Sequence, residues 1–285
     1  MIKLVVSDMD GTLLNRKGGI SRGNVEVIKE LEKNNIEFAI ASGRDFKSVY
    51  SIMNQYDIAC EAILGNGAQY VDQEGNIIMS CYMDKTVIED VLQVFHERNI
   101  PYIIYTTNGF FTLYEPSYVR KMFIERGRLR FHDQLGEFEK GGKNENAPCN
   151  FITQIDDLDD FLKQELDIIK IEAFSVDENE IPPAKELLKD IPNISFLSSF
   201  IDNVEVTHKD AQKGYILEKV IKLKGISKNE VMVVGDGMND LSMFECFSYS
   251  FATANAVERI KELSYKVVSD CEEDGFKEAV ESIIK

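Results

Sequence analysis

Short, uninterrupted apolar runs alternate with segments in which apolar residues return every three or four positions. Ile2–Ser7, Ile36–Ala41 and Ala62–Leu64 read as buried strands, and Ser21 is an N-cap for a helix carrying Val25, Ile28 and Leu31. Asp45 to about Asn54 predicts a second helix. Gln69–Val71 and Asn76–Ser80 flank Asp72-Gln73-Glu74-Gly75 as a hairpin. The C-terminal part repeats the alternation: helix Gly214–Leu223, strand Val231–Val234, short helix Asn239–Glu245, strand Tyr249–Ala252, helix Val257–Leu263, strand Lys266–Ser269 and helix Gly275–Ile284. Strands alternating with helices predict a parallel sheet with right-handed crossovers.

The middle of the chain breaks this rhythm. Thr86–Arg98 is an amphipathic helix, and Tyr102–Thr106 with Phe110–Tyr114 reads as a hairpin around Asn108-Gly109. Gly136–Asn150 is polar and reads as a loop, Ile168–Ser175 as a strand and Pro183–Lys189 as a helix. This mixture predicts a separate α+β unit inserted into the alternating core. The aromatics Tyr102, Tyr105, Phe110, Phe111 and Tyr114 read mostly as core of that unit, with substrate contact by one of them as the alternative, and His208 reads as a surface turn residue, with a place facing the cleft as its alternative.

With 285 residues the chain can bury a sizeable core. Its net charge of −17 argues against nucleic acid and anionic membrane as partners. The same field opposes a phosphorylated substrate, so a phosphate site must be made positive locally, by a metal, a lysine and backbone N–H groups. Cys60, Cys81, Cys149, Cys246 and Cys271 are scattered, with no CxxC pair, which predicts reduced thiols in a cytoplasmic protein. The expectations extend to no signal peptide, no membrane span and, with three separated histidines, no zinc site.

Asp8 and Asp10 stand where the first strand gives way to a glycine turn. Two carboxylates at a strand tip suggest a cation, a catalytic site or plain solvent. Ser42-Gly43-Arg44 follow the second strand, and Asp236-Gly237-Met238-Asn239-Asp240 follow Val231–Gly235. A parallel sheet carries these distant segments to one edge, beyond the carboxyl ends of its strands, where ligands bind.

The set resembles the haloacid dehalogenase (HAD) superfamily, specifically its Cof-type phosphatases with a large C2B-type cap. It comprises Asp8-Met9-Asp10-Gly11-Thr12-Leu13-Leu14, Ala41–Arg44, Gly65–Ala68, Gln212-Lys213-Gly214 and Val233–Asp240, with Ala254-Asn255-Ala256 and Glu273-Asp274-Gly275 behind them. The resemblance implies an α/β fold: a Rossmann-like, parallel-sheet HAD core over residues 1–83 and 209–285, with an inserted α+β cap over 84–208 that selects substrate. It implies Asp8 as nucleophile, Asp10 as acid and base, and Mg²⁺ held by Asp8, Asp236 and the Asp10 carbonyl. Ser42 would meet the phosphate, aided by N–H groups at the following helix start, and Lys213 would neutralise it. Thr12 would support the loop; Asn239 and Asp240 would orient waters, phosphate or Lys213. Gly43 belongs with the substrate-binding group. Arg44 either holds substrate or pairs with a core carboxylate, and Asn66 either faces the leaving group or adopts a left-handed turn. Asp210 stands where relatives often carry glycine.

The activity implied is a Mg²⁺-dependent phosphatase acting on small phosphorylated metabolites, sugar phosphates among them, through an aspartyl phosphate. A phosphomutase or phosphotransferase on the same core, or a non-catalytic binding protein, are the alternatives. The oligomeric state is left open, a monomer being compatible.

Overall fold

The computed structural model of the protein describes residues 1–130, 147–198 and 201–284. The chain forms two compact units, Met1–Cys81 with Asp210–Lys285, and Tyr82–Lys209. In chain order the strands are β1 (Leu4–Ser7), β2 (Glu37–Ala41), β3 (Glu61–Leu64), β4 (Gln69–Val71), β5 (Ile77–Ser80), β6 (Tyr102–Thr106) and β7 (Gly109–Thr112). They continue with β8 (Ile152–Gln154), β9 (Ile168–Phe174), β10 (Ile194–Leu197), β11 (Asn203–His208), β12 (Val231–Gly235), β13 (Tyr249–Thr253) and β14 (Lys266–Val268).

The first unit is built on a sheet of order β14-β13-β12-β1-β2-β3-β4-β5. Its six strands from β14 to β3 are parallel, and β4 and β5 add the predicted hairpin at one edge. The Asp72 carboxylate accepts the backbone N–H groups of Glu74 and Asn76 and so closes that hairpin's turn. β1 lies between β12 and β2, with Ser7 opposite Val234 and Ile40.

Both faces of the sheet are covered, which is why its strands read as continuous apolar runs. Val5, Ile40, Met232 and Val234 pack on helices 22–33, 46–53 and 275–284. Leu4, Val6, Val231 and Val233 pack on helices 213–224, 241–246 and 258–263. Ser21 caps the first helix by accepting the Asn24 N–H, a contact of the kind that contributes about 1 kcal/mol. Helix Lys213–Lys224 approaches helix Leu241–Cys246 so closely at Gly214 that a Cβ there would overlap the Ser242 carbonyl.

The second unit has a sheet of order β10-β11-β9-β6-β7-β8, antiparallel except between β7 and β8. Helices Ile88–His96 and Ile181–Leu188 cover the face made by Tyr102, Ile104, Ile171, Ala173, Val204 and Val206. The predicted helix Thr86–Arg98 is shorter, because Asp84 caps a 3₁₀ turn over Lys85–Val87 before the α-helix begins. The predicted helix Pro183–Lys189 starts earlier, at Ile181; Pro182 and Pro183 fall in its first turn, where proline's missing N–H costs nothing.

The opposite face carries Ile103, Tyr105 and Phe174, packed with Val119 of helix Pro116–Arg130 and with Cys149. Beside them lies a buried charged layer. Arg126 pairs with Glu172 and Asp202 at 3.3 Å each, Lys170 pairs with Glu205 at 2.5 Å, and the Tyr105 hydroxyl donates to Glu172. Tyr102 and Tyr105 are buried; Phe110, Phe111 and Tyr114 pack on Tyr105, Phe161 and Tyr102 respectively, as core aromatics. His208 closes β11 and is half-buried, which corrects the surface-turn reading. Of the predicted loop Gly136–Asn150, residues 136–146 lie outside the described residues, and Pro148–Asn150 is a 3₁₀ turn.

All five cysteines are free. Among the described residues no helix is long and apolar enough to cross a membrane.

Candidate active site

Every strand tip that the motifs occupy is a carboxyl end of the parallel sheet. Asp8 leaves β1 with its N–H donated to the Val234 carbonyl at 2.9 Å. The chain then reverses through Gly11, whose φ of +81° suits glycine, and Leu14 N–H returns to the Met9 carbonyl. Gly11 is also a point of contact: a Cβ there would overlap the Asp236 carboxylate. The turn and the tip of β12 therefore meet only because residue 11 has no side chain.

Lys213, the first residue of helix Lys213–Lys224, is completely buried. Its Nζ lies 2.6 Å from Asp8 Oδ1 and 2.6 Å from Asp240 Oδ1. Asp240 spends its other oxygen on the N–H groups of Asp236 and Gly237, at 2.9 and 3.0 Å. Both of its oxygens are thus committed, and it acts as the anchor joining Lys213 to the β12 tip.

Asp236 is held from two sides. The Thr12 hydroxyl donates to its Oδ1 at 2.8 Å, and Asn255 Nδ2 lies 3.4 Å from its Oδ2. The same Asn255 amide donates to the Gly11 carbonyl at 2.8 Å, and its oxygen accepts the Cys271 N–H at 3.0 Å. Asn255 thereby ties the turn after β1, the tip of β12 and the segment after β14 together. Sequence reasoning placed Asn255 in the motif set but gave it no role; its position two residues beyond β13 was the available signal.

Asp8, Asp236 and Asp240 can bring one carboxylate oxygen each within 4.8 Å of one another. Three carboxylates around one lysine leave negative charge in excess. Burial, and after it the neighbouring Asp240, push Asp8 well above the usual carboxylate range, against the pull of Lys213. The same two causes push Asp236 up to about 7. Lys213 is raised as well: although burial opposes its charge, Asp240 and Asp8 hold the ammonium above its ordinary value. A divalent cation removes this repulsion. Hard carboxylate oxygens in small number, with room for waters and phosphate, are a donor set that suits Mg²⁺. With Asp240 committed elsewhere, Asp8 and Asp236 are the carboxylates that fit it.

Asp10 stands apart from that cluster. Its carboxylate is half-exposed and is gripped by Arg44, with Nε at 2.7 Å from Oδ2 and Nη2 at 2.6 Å from Oδ1. Of the two readings of Arg44, pairing with a carboxylate is the one the geometry displays.

Ser42 is buried at the tip of β2, and its Oγ accepts the Arg44 N–H at 3.2 Å. Asp45 is the N-cap of the following helix, Phe46–Met53, and takes the Ser48 N–H at 2.7 Å. Gly43 faces Asn66 so closely that a Cβ would touch the Asn66 amide oxygen. Asn66 is buried in a left-handed conformation, φ 58°, and Asn239 Nδ2 lies 3.4 Å from its Oδ1. Gly43, Asn66 and Asn239 therefore converge, while Asp10 and Arg44 form a second group beside them.

A sequence profile of haloacid dehalogenase-like hydrolases matches residues 5–280. The chain is 26% identical over 294 residues to the 5-amino-6-(5-phospho-D-ribitylamino)uracil phosphatase YwtE of Bacillus subtilis, covering 99% of this chain and 98% of that protein. It is 25% identical over 278 residues to an HMP-PP phosphatase of Yersinia pseudotuberculosis, covering 96% and 93% respectively. The solved structure of a haloacid dehalogenase-like hydrolase from B. subtilis superposes with a TM-score of 0.87 at 25% identity, over 99% of this chain and 100% of that one.

Proposed function

The chain belongs to the haloacid dehalogenase-like hydrolase family and is a phosphatase, and from that premise we propose that it is Mg²⁺-dependent and hydrolyses small phosphorylated metabolites, sugar phosphates among them, through an aspartyl phosphate on Asp8. The observation that carries the reading is the meeting of Asp8, Lys213, Asp236 and Asp240, drawn from three segments of the chain, at one sheet edge.

In this reading an Asp8 carboxylate oxygen attacks phosphorus as the bond to the leaving oxygen breaks. Asp10 delivers a proton to that oxygen, then takes one from the water that attacks the aspartyl phosphate, and the bond between phosphorus and Asp8 breaks. Lys213 balances the charge of Asp8 and of the incoming phosphoryl group. Ser42, Gly43, Asn66 and Asn239 line the phosphate's side of the site. A bound Mg²⁺, held by Asp8, Asp236 and the Asp10 carbonyl, supplies charge neutralisation between carboxylate and phosphate. Thr12, Asn255 and Asp240 hold Asp236 and Lys213 in place.

The unit Tyr82–Lys209 is the cap that selects substrate, because the core residues account for phosphate, metal and nucleophile and leave nothing to read the rest of the molecule. A cytoplasmic setting fits the free thiols. The test is phosphate release from a panel of phosphorylated metabolites with and without Mg²⁺, together with acid-quench trapping of phosphate on Asp8. Full turnover after exhaustive chelation, or no trapped phosphoenzyme under any single-turnover condition, refutes the scheme.

A further inference from the structure

We propose that Arg44 is a positioning residue for the proton-transfer step: it orients the Asp10 carboxylate and does not read the substrate. The proposal rests on the reading of Asp10 as the acid–base group.

Three nitrogens of the guanidinium are already engaged. Nε and Nη2 take the two Asp10 oxygens at 2.7 and 2.6 Å, and Nη1 donates to Ser48 Oγ at 3.0 Å. Ser48 is fixed in turn, its N–H donated to the Asp45 cap at 2.7 Å. The Arg44 main chain is pinned too, with its N–H on Ser42 Oγ and its carbonyl accepting the Gly65 N–H at 3.1 Å. The guanidinium is therefore a rigid fork anchored at its rear by Ser48 and closed at its front on Asp10.

Stability does not explain this arrangement. The Asp10 side chain is 50% exposed and that of Arg44 32%. A pair this open to solvent adds little to stability. Geometry does explain it. A half-exposed carboxylate on a turn would otherwise sample several rotamers, whereas a fork bonded to both oxygens fixes its plane. Each carboxylate oxygen has a second lone pair, so the grip of Arg44 leaves Asp10 chemically able to hold and deliver a proton. Lysine, a point charge without the fork, cannot set that plane.

Two aryl esters separate positioning from substrate binding. Phenyl phosphate needs its leaving oxygen protonated, whereas p-nitrophenyl phosphate leaves readily as the anion. The quantity to compare is kcat/KM, which reports only the steps up to loss of the leaving group. Arg44→Ala is expected to lower kcat/KM for phenyl phosphate by about 10²-fold, the scale of a misplaced catalytic group, and for p-nitrophenyl phosphate by less than about tenfold. Arg44→Lys and Ser48→Ala should show the same selectivity to a smaller degree, and they carry the test if Arg44→Ala does not fold. Asp10→Asn should show it most strongly. Equal losses on both esters in the Arg44 and Ser48 variants, with KM raised, would make Arg44 a phosphate contact and overturn the proposal while leaving Asp10 in its role. Equal losses in Asp10→Asn would remove Asp10 from acid–base duty, and the proposal with it.

Discussion

Lys213 Nζ sits 2.6 Å from Asp8 Oδ1, and neither side chain is more than 5% exposed. A buried ammonium is thus the direct counter-ion of the proposed nucleophile. Lys213→Met should abolish turnover and also destabilise the fold, because it strands Asp8 and Asp240 in a dry site. Removing one partner of a buried pair costs about 3–5 kcal/mol. Since protonation can relieve the stranded carboxylates, the loss measured by thermal unfolding should be smaller at acidic than at neutral pH. An unchanged Tm across that range would contradict the burial of the pair.

Asp8→Asn should eliminate phosphoenzyme formation while raising the Tm of the metal-free protein. The substitution removes a charge that burial and Asp240 disfavour, and the amide is near-isosteric. Asp10→Asn should leave Mg²⁺ binding intact and lower turnover by about 10²–10⁴-fold, the range for general acid–base catalysis. Isothermal titration with Mg²⁺ alongside single-turnover kinetics separates the two effects.

The carboxylate cluster links pH to metal. Burial, and after it Asp240, push Asp236 up to about 7, from a usual value of 3.8. A raised carboxylate makes the folded state hold the proton that the unfolded state releases. Its stabilising share is therefore complete below the usual value and is lost as pH rises through about 7. Mg²⁺ should reverse this, so the gain in Tm on adding Mg²⁺ should grow between pH 5.5 and 8. A gain independent of pH would place the ion away from Asp236.

The buried charge layer of the inserted unit behaves in the opposite sense. Burial would raise Glu172, but Lys170 and Arg126 outweigh it and bring the carboxyl down to about 2, from 4.5. A lowered carboxylate contributes stability above the usual value and loses it as pH falls through the lowered one. The shift corresponds to roughly 3 kcal/mol. Glu172→Gln should therefore be clearly less stable than the parent at pH 6, and the gap should narrow between pH 4.5 and 2. Urea unfolding of both proteins over that range measures it.

Legibility followed distance along the chain. Asp8, Ser42 and Asp236 each follow a strand whose apolar run is visible locally, and Lys213 opens a helix whose apolar spacing is visible too, so all four could be singled out before any contact was known. What the sequence hid depends on pairing. Helix Pro116–Arg130 went unseen because its inward stripe, buried Val119 with half-buried Met122 and Phe123, continues into Arg126, a buried charge paired with Glu172 and Asp202. β11 went unseen because Val204 and Val206 alternate with Asn203, Glu205 and Thr207, polar residues that are also buried. Its strict alternation was nevertheless the signal for a strand. The bond from Arg44 to Asp10 and the triple tie made by Asn255 are side-chain geometry, which spacing alone does not encode.

The register of β1 against β12 has a consequence for how the protein is made. Val234, whose carbonyl fixes the Asp8 N–H, emerges from the ribosome more than two hundred residues after Asp8. Tyr82–Lys209, continuous in sequence, can collapse on its own while the nascent β1 still lacks one of its two neighbours. The surroundings of Asp8 are therefore completed only when the late strands close the sheet, a non-local pairing of the kind that slows folding.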